Sequence, residues 1–159
     1  MNTLLLIIDM QKAFINKNTK HIIPKIEELI SKKTYKNIVF TRFINTPESI
    51  YVKDLKYNGC IGNNKELVID NYNYKVIDKK IYTALNTDLK NYIIENNIDK
   101  IYLCGIDTEC CILKTAFDLF ESEYDVYVLK NYCASMYGNE RHNNALKILE
   151  RNIGKNRII

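Results

Sequence analysis

The sequence predicts an α/β domain in which helices cover both faces of a doubly wound parallel sheet. Short apolar runs without a helical period alternate along the chain with segments whose apolar residues recur at intervals of three and four. Strands and helices that alternate at this spacing are joined by right-handed crossovers, which makes the sheet parallel. The chain has 159 residues, 47% of them hydrophobic, and this length suits one compact domain spanning residues 1–159.

The first half of the chain contains three predicted strands and one predicted helix. Thr3–Ile8 is a continuous apolar run, as expected of a strand buried on both faces. Ile22–Ile30 has the three-and-four spacing of an amphipathic helix, and Ile38–Thr41 and Lys75–Ile77 are short strands. Residues Phe43–Tyr74 show little periodicity. A segment longer than about 12–15 residues without regular structure is usually a functional loop or lid.

The second half continues the alternation. Helices are predicted where apolar residues share one face, at Leu85–Ile98, Cys111–Phe120 and His142–Leu149. Strands are predicted at two buried apolar runs, Ile101–Cys104 and Val126–Leu129. The last residues, Arg157–Ile159, could add a short edge strand. The whole pattern is that of a three-layer, Rossmann-like sheet.

Composition excludes several classes of protein. The formal net charge is +4, from 23 basic and 19 acidic residues spread along the chain, which argues against a nucleic-acid partner. The apolar run Leu4–Ile8 follows no basic segment and is far shorter than the roughly 20 residues that span a bilayer, so no signal peptide or membrane anchor is expected. The five cysteines lack the spacing of a disulfide framework or zinc module, which favours a reducing, cytoplasmic location.

Candidate functional residues are sought directly after the strands, because ligands of open parallel sheets bind at the carboxyl ends of the strands. The first candidate is Asp9, which follows the aliphatic run of the opening strand. An acid in this position serves a site or ends the strand as a turn residue. A phosphoacceptor aspartate of the receiver type is a further interpretation, although such an acceptor normally follows a middle strand.

The second candidate is the adjacent pair Cys110-Cys111, where a buried strand passes into an amphipathic helix. Free backbone N–H groups and the helix dipole favour a thiolate at such a position, so the thiol pKa is expected to fall from about 8.5 toward neutrality. The same N–H groups could bind an oxyanion. Buried, unreactive cysteines are the alternative. A vicinal disulfide or metal pair is disfavoured because neighbouring side chains on a helix point about 100° apart.

The third candidate is a lysine, Lys79 or Lys80, after the short strand that ends at Ile77. A lysine there could form an ion pair with a thiolate or polarise a substrate carbonyl. Taken alone, either residue is typical of a solvent-exposed surface lysine.

Several motifs resemble those of the isochorismatase-like cysteine hydrolases, a family that includes nicotinamidases. Asp9-Met10-Gln11 with Phe14 is similar to the family's D-M-Q-x-x-F motif, and Lys79–Leu85 resembles K-x-x-Y-S-A-F. Gly105–Ala116 is similar to G-[IV]-x-T-x-x-C-V-x-x-T-A, and Arg141–Leu146 to a late H-x-x-A-L helix. The motifs occur in family order and spacing over nearly the whole chain, which implies the isochorismatase-like hydrolase fold.

The resemblance implies specific roles for three residues. Asp9 would be the general acid and base, Lys79 the catalytic lysine and Cys111 the nucleophile, whereas Cys110 and Lys80 fall on variable positions. The family also has a cis peptide bond that would lie between Ile106 and Asp107 and turn the Asp107 N–H toward the nucleophile. Together with the Cys111 N–H, this group would form an oxyanion hole.

Departures from the family pattern bear on the reaction. Nicotinamidases of this family carry an Asp/His metal cluster after the second strand, but Thr41–Glu48 contains no histidine, and the chain has only His21 and His142. A metal-independent hydrolase without a cofactor is therefore expected, acting on a C–N bond of a small amide or carbamoyl compound. The alternatives are an isochorismatase-type vinyl-ether hydrolase that uses Asp9 and Lys79 without the thiol, a nicotinamidase, and a non-catalytic binding member.

The resemblance also suggests how substrate and subunits are arranged. Phe14, Tyr82 and the Phe43–Tyr74 loop are expected to line the substrate pocket, since small-molecule sites have apolar walls with few polar groups. The partners expected are a small-molecule substrate and further copies of the chain in a homo-oligomer.

Overall fold

The computed structural model describes residues 1–159 and contains one five-stranded sheet in which every pair of neighbouring strands is parallel. The strands are β1 (Thr3–Ile8), β2 (Asn37–Phe43), β3 (Lys75–Lys79), β4 (Lys100–Ile106) and β5 (Val126–Ala134). Their order across the sheet is β3-β2-β1-β4-β5. The α/β class and the parallel sheet predicted from the sequence are confirmed.

The helices alternate with these strands. They are α1 (Ile23–Ser31), α2 (Ile50–Lys53), α3 (Thr87–Glu95), α4 (Leu113–Glu121) and α5 (Asn139–Ile153). Residues that favour helix initiation lie at the start of two of them. Pro24 lies in the first turn of α1. At the start of α3, the Asn86 side chain accepts a hydrogen bond of 3.0 Å from the Leu89 N–H. None of the helices has both the length and the apolar composition that crossing a bilayer requires.

The central strand β1 carries the core of the sheet. Its residues Leu4 to Ile8 are all fully buried, so both faces of the sheet are covered. At the end of β1, Ile8 pairs with Gly105 of β4. Gly105 has φ +122°, and a Cβ there would lie 2.1 Å from the Ile8 carbonyl oxygen. Only glycine allows this close approach, which brings the carboxyl ends of β1 and β4 together.

The sheet reverses its direction of growth at β1. The chain adds β2 and β3 on one side of β1 and then returns to add β4 and β5 on the other. A crevice forms at such a switch point, outside the carboxyl ends of the strands. The residues that follow β1 and β4 are therefore placed at one crevice.

Two local expectations need correction. The segment Phe43–Tyr74 is not uniformly irregular, since it begins in β2 and contains α2 and a 3-10 turn at Gly62–Lys65. Arg157–Ile159 does not form a strand. A 3-10 turn occupies Lys155–Arg157, and a single parallel bridge joins Ile158 to Val128 of β5.

Candidate active site

Three of the predicted site residues meet at the carboxyl edge of the sheet. Asp9 follows β1, Lys79 is the last residue of β3, and Cys111 lies in the wide helical turn at Thr108–Ile112 that joins β4 to α4. Lys79 Nζ lies 2.7 Å from Asp9 Oδ2 and 3.3 Å from Cys111 Sγ. All three side chains are nearly inaccessible to solvent, with residue exposures of 0% for Asp9, 3% for Lys79 and 6% for Cys111.

The Lys79 ammonium is held by further contacts. It donates hydrogen bonds to the carbonyl oxygens of Ile81 at 3.0 Å and Tyr82 at 3.1 Å, and it lies 5.2 Å from the centre of the Phe43 ring. Burial disfavours the charged ammonium, but Asp9 and then Cys111 outweigh this effect and raise the pKa of Lys79 above its ordinary value. Lys79 is therefore a fixed cation between an acid and a thiol.

Thr41 on β2 holds the Asp9 carboxylate in place. Its hydroxyl donates to Asp9 Oδ1 at 2.7 Å and accepts the Asp9 N–H at 3.2 Å. The other carboxylate oxygen, Asp9 Oδ2, is buried and faces Lys79 without a hydrogen bond of good geometry. Cys111 Sγ contacts the same Lys79 Nζ, so the carboxylate and the thiol are neighbours. Asp9 is thus positioned to take a proton from that thiol.

The expected lowering of the Cys111 pKa is wrong for this structure. Burial and then the Asp9 carboxylate raise the pKa of the thiol well above its ordinary value, while Lys79 opposes them. The sequence-based expectation assumed a solvated helix terminus, whereas Cys111 is enclosed. The resting site therefore holds a neutral thiol beside a carboxylate–ammonium ion pair.

The turn before Cys111 has an unusual backbone. The Ile106–Asp107 peptide bond is cis. The Asp107 carbonyl accepts hydrogen bonds from the N–H groups of Cys110 at 3.2 Å and Ile112 at 3.1 Å, whereas the Asp107 N–H itself makes no hydrogen bond. That N–H remains available to another acceptor.

A cavity of about 300 Å³ opens onto Cys111. Half of the residues in its wall are aromatic: Phe14, Phe43, Tyr51, Tyr57, Tyr82 and Tyr137. Phe14 and Tyr82, which the resemblance suggested as pocket residues, both line it. Such an apolar wall with few polar groups suits a small organic molecule.

Sequence reasoning missed several parts of this wall. Tyr51 and Tyr57 come from the segment after β2, and Tyr57 stacks on Phe14 with ring centres 6.1 Å apart. Gln11 ties this segment to β1: its side chain exchanges hydrogen bonds with the Phe43 backbone at 2.7 and 2.9 Å and donates to the Lys65 carbonyl at 2.8 Å. The nonperiodic segment was expected to contribute to the pocket, but no pattern singled out these tyrosines.

Cys110 also lines the cavity, beside Cys111. Burial, followed by the nearby Asp107 and Glu109 carboxylates, raises the pKa of Cys110 to about 11. All five cysteines are free, so the adjacent pair forms no vicinal disulfide. Lys80, the neighbour of Lys79, is exposed and lies outside the cluster.

The donor set for the metal cluster of nicotinamidases does not fit this site. No group of three or more His, Cys, Asp or Glu side chains is arranged to hold a metal ion. His142 Nδ1 instead lies 2.7 Å from Thr108 Oγ1, and burial lowers the pKa of His142. His142 and His21 line a separate small cavity together with Lys25 and Lys130, whose charges repel a cation.

Comparison with known proteins gives consistent matches. The family model described as the isochorismatase domain matches residues 3–155. Isochorismatase family protein 2A of Dictyostelium discoideum is 28% identical over 149 residues, which cover 87% of this chain and 69% of that protein. The chain spans about two thirds of the length of the first curated relatives that it matches, at 66%, 69% and 65%.

Solved structures share the fold at low sequence identity. Pyrazinamidase/nicotinamidase from Streptococcus mutans superposes with a TM-score of 0.85 at 23% identity, covering 99% of this chain and 100% of that one. N-carbamoylsarcosine amidase from Thermoplasma acidophilum superposes with a TM-score of 0.84 at 18% identity, covering 97% and 94%. These likenesses establish a common architecture.

Proposed function

Since the chain belongs to the isochorismatase family, we propose that it is a cysteine hydrolase that cleaves a C–N bond of a small amide or carbamoyl compound. Cys111 would form the covalent intermediate, assisted by Asp9 and Lys79. The observation that supports this most directly is the position of Lys79 Nζ, 2.7 Å from Asp9 Oδ2 and 3.3 Å from Cys111 Sγ. The two solved structures named above are of a pyrazinamidase/nicotinamidase and an N-carbamoylsarcosine amidase, which agrees with C–N cleavage.

The first half of the reaction is acylation. Asp9 takes the Cys111 proton as the sulfur attacks the carbonyl carbon, and negative charge develops on the carbonyl oxygen. The backbone N–H groups of Asp107 and Cys111 form the proposed oxyanion hole for that oxygen. The C–N bond then breaks, and Asp9 returns the proton to the departing amine or ammonia.

The second half is hydrolysis of the covalent intermediate. Asp9, again a carboxylate, removes a proton from water, which attacks the carbonyl carbon bound to Cys111 Sγ. The C–S bond breaks, the proton passes from Asp9 to the sulfur, and the acid product leaves. The site returns to its resting protonation state.

The charges in the site explain why Lys79 is needed. A neutral thiol is favoured at rest, because burial and Asp9 raise the pKa of Cys111. Moving the proton from sulfur to Asp9 leaves the total charge of the three groups unchanged. One buried anion replaces another beside the same ammonium, so no unpaired charge forms in the interior.

The wider setting of the enzyme belongs to the same proposal. The substrate would be a small molecule held in the aromatic cavity without a cofactor. The five free cysteines agree with a reducing, cytoplasmic environment. Assembly into a homo-oligomer is proposed from the family resemblance.

Release of ammonia from a panel of amides and carbamoyl compounds tests the function. The wild-type protein should hydrolyse at least one of them, and the Cys111→Ala and Cys111→Ser variants should lose that activity. Cys133→Ala is the matched control, because it removes a buried thiol outside the cavity. Turnover by Cys111→Ala at the wild-type rate would contradict the proposal, and pyruvate release from isochorismate by that variant would favour vinyl-ether hydrolysis.

A further inference from the structure

The Asp107 side chain lines the same cavity, and the mechanism above does not use it. One carboxylate oxygen, Oδ1, accepts the Met136 N–H at 2.7 Å. The other oxygen, Oδ2, accepts no hydrogen bond from the protein and is partly accessible to solvent. Since Asp107 is only 9% exposed and belongs to the cavity wall, Oδ2 is accessible through the cavity.

No cation neutralises this carboxylate. Asp9 has Lys79 as a partner, but Asp107 takes part in no ion pair. The Arg141 guanidinium lies over the exposed Tyr137 ring, 4.3 Å from its centre. Lys56 at the cavity wall donates instead to the Lys53 carbonyl.

The surroundings of Asp107 disfavour its ionised form. Burial raises the pKa of Asp107 to about 7, with further increases from the charges of Glu109 and Asp9, while the Met136 N–H and Arg141 oppose them. Tyr57 and Cys110 also face this carboxyl, but both are neutral near pH 7, because burial raises their pKa values. A ligand that supplies a donor or a positive charge would relieve this unfavourable environment.

We propose that the Asp107 side chain selects the substrate: it binds an amino or ammonium group on the body of the amide and disfavours substrates that carry a carboxylate. The inference rests on the proposed function, since the selected molecule is the one that Cys111 attacks. An ammonium group would pair with Oδ2 and contact the faces of the surrounding rings, which attract cations. A carboxylate would bring two like charges together in a poorly solvated cavity.

Thiol-directed reagents of different charge test this selection without knowledge of the substrate. Cys111 of the whole protein is treated at about pH 8.5, where Asp107 is ionised, with three methanethiosulfonates that carry a trimethylammonium, a sulfonate or only a methyl group. Each reaction joins the Cys111 sulfur to the reagent's thiol fragment and releases methanesulfinate. Because Cys110 and Cys111 share a peptide, rates are assigned to Cys111 by fragmenting that peptide in the mass spectrometer, and they are divided by the rate for free 2-mercaptoethanol.

The wild-type protein should prefer the cationic over the anionic reagent by about tenfold or more after this correction. In Asp107→Asn the ratio of the cationic to the anionic rate should fall toward one. The amide oxygen can still accept the Met136 N–H, but the negative charge is gone. Glu109→Gln is the matched control. It removes a charge from the same turn, but Glu109 binds Ser135 and does not line the cavity, so the preference should persist.

A second measurement does not depend on the variant folding. Lowering the pH of the wild-type protein to about 5.5 protonates Asp107, so the cationic preference should shrink. A wild-type ratio near one, a preference for the anionic reagent, or an unchanged ratio in Asp107→Asn would overturn the inference and leave the proposed function intact. Failure of all three reagents to modify Cys111, together with no turnover of any compound in the amide panel, would overturn both.

Discussion

The Thr41 hydroxyl bonds to Asp9 twice, donating to Oδ1 at 2.7 Å and accepting the backbone N–H at 3.2 Å. One side chain on β2 thereby sets both the conformation of the loop after β1 and the direction of the carboxylate. Because Asp9 must reach the Cys111 thiol, Thr41 is a positioning residue for the proposed reaction.

Replacing Thr41 by Val should lower both stability and activity. Val keeps the shape but leaves a buried carboxylate oxygen and a buried N–H without partners, at about 1–3 kcal/mol of unfolding free energy. We expect kcat to fall by about tenfold or more with a smaller change in KM, because a misdirected base affects the transition state most. Urea unfolding and steady-state kinetics on an established substrate measure the two effects.

Thr41→Ser is the matched control, since it keeps the hydroxyl and removes only a methyl group. It should retain most of the activity that Thr41→Val loses. Equal loss of kcat in both variants would mean that packing, and not the hydroxyl, accounts for the effect.

Removing Lys79 should both destabilise the protein and abolish activity. Lys79→Met leaves the fully buried Asp9 without its cation, and breaking a buried ion pair in this way costs about 3–5 kcal/mol. Hydrolysis should fall by at least about 10²-fold, because no fixed charge then stabilises the anion on sulfur or carboxylate. Unfolding curves and ammonia release are the measurements.

Lys80→Met is the control for this variant, because Lys80 is exposed and adjacent in sequence. It should change stability by less than about 0.5 kcal/mol. The double variant Asp9→Asn, Lys79→Met should regain stability relative to Lys79→Met without regaining activity. Full activity in Lys79→Met would remove this lysine from the mechanism.

The contacts among Asp9, Lys79 and Cys111 show how much of the site can be predicted from the sequence. Each residue follows or ends a strand, and the carboxyl ends of parallel strands meet at one edge, so strand prediction and local motifs were enough to bring the three together. Lys79 could be chosen over Lys80 only through the family motif, since both lie within three residues of the end of the predicted strand at Ile77.

Other parts of the site depend on packing that is not encoded locally. Tyr51 and Tyr57 lie in a segment without periodicity, and their rings pack against residues distant in sequence, Tyr82 and Phe14 respectively. The predicted direction of the Cys111 pKa shift was wrong for a related reason. Position in sequence indicates a helix start, but burial among side chains from other elements decides which protonation state is favoured.

Removal of the Asp9 charge should make Cys111 easier to ionise. Burial raises the pKa of Cys111 most, and the Asp9 carboxylate adds to the increase. In Asp9→Asn the pKa of the thiol should therefore fall, although hydrolysis is lost with the general base. The pH dependence of Cys111 alkylation by iodoacetamide gives the pH midpoint, with fragmentation of the peptide in the mass spectrometer separating Cys111 from Cys110.

Asp78→Asn is the control for this charge effect. Asp78 belongs to the same strand as Lys79, but its carboxylate is exposed and pairs with Arg42. Removing the Asp78 charge should leave the pH midpoint of Cys111 alkylation unchanged. A midpoint in Asp9→Asn equal to that of the wild type, or higher, would contradict the electrostatic account of the resting thiol.

The Asp107 carboxyl should make the wild-type protein less stable as the pH rises. Burial raises its folded-state pKa from 3.8 to about 7, so the folded protein binds this proton more tightly than the unfolded chain does between these values. The unfolding free energy should therefore decline across that pH range, and the loss should be complete above it. Asp107→Asn should remove this decline and be more stable than the wild type at about pH 8, with a smaller difference near pH 4.

Urea unfolding at a series of pH values measures the unfolding free energy of each protein. Asp54→Asn, which changes an exposed aspartate, is the control and should keep the pH dependence of the wild type. A decline of equal steepness in Asp107→Asn would assign the pH dependence to another group, whereas its disappearance would show that the cavity keeps an unpaired carboxyl at the expense of stability.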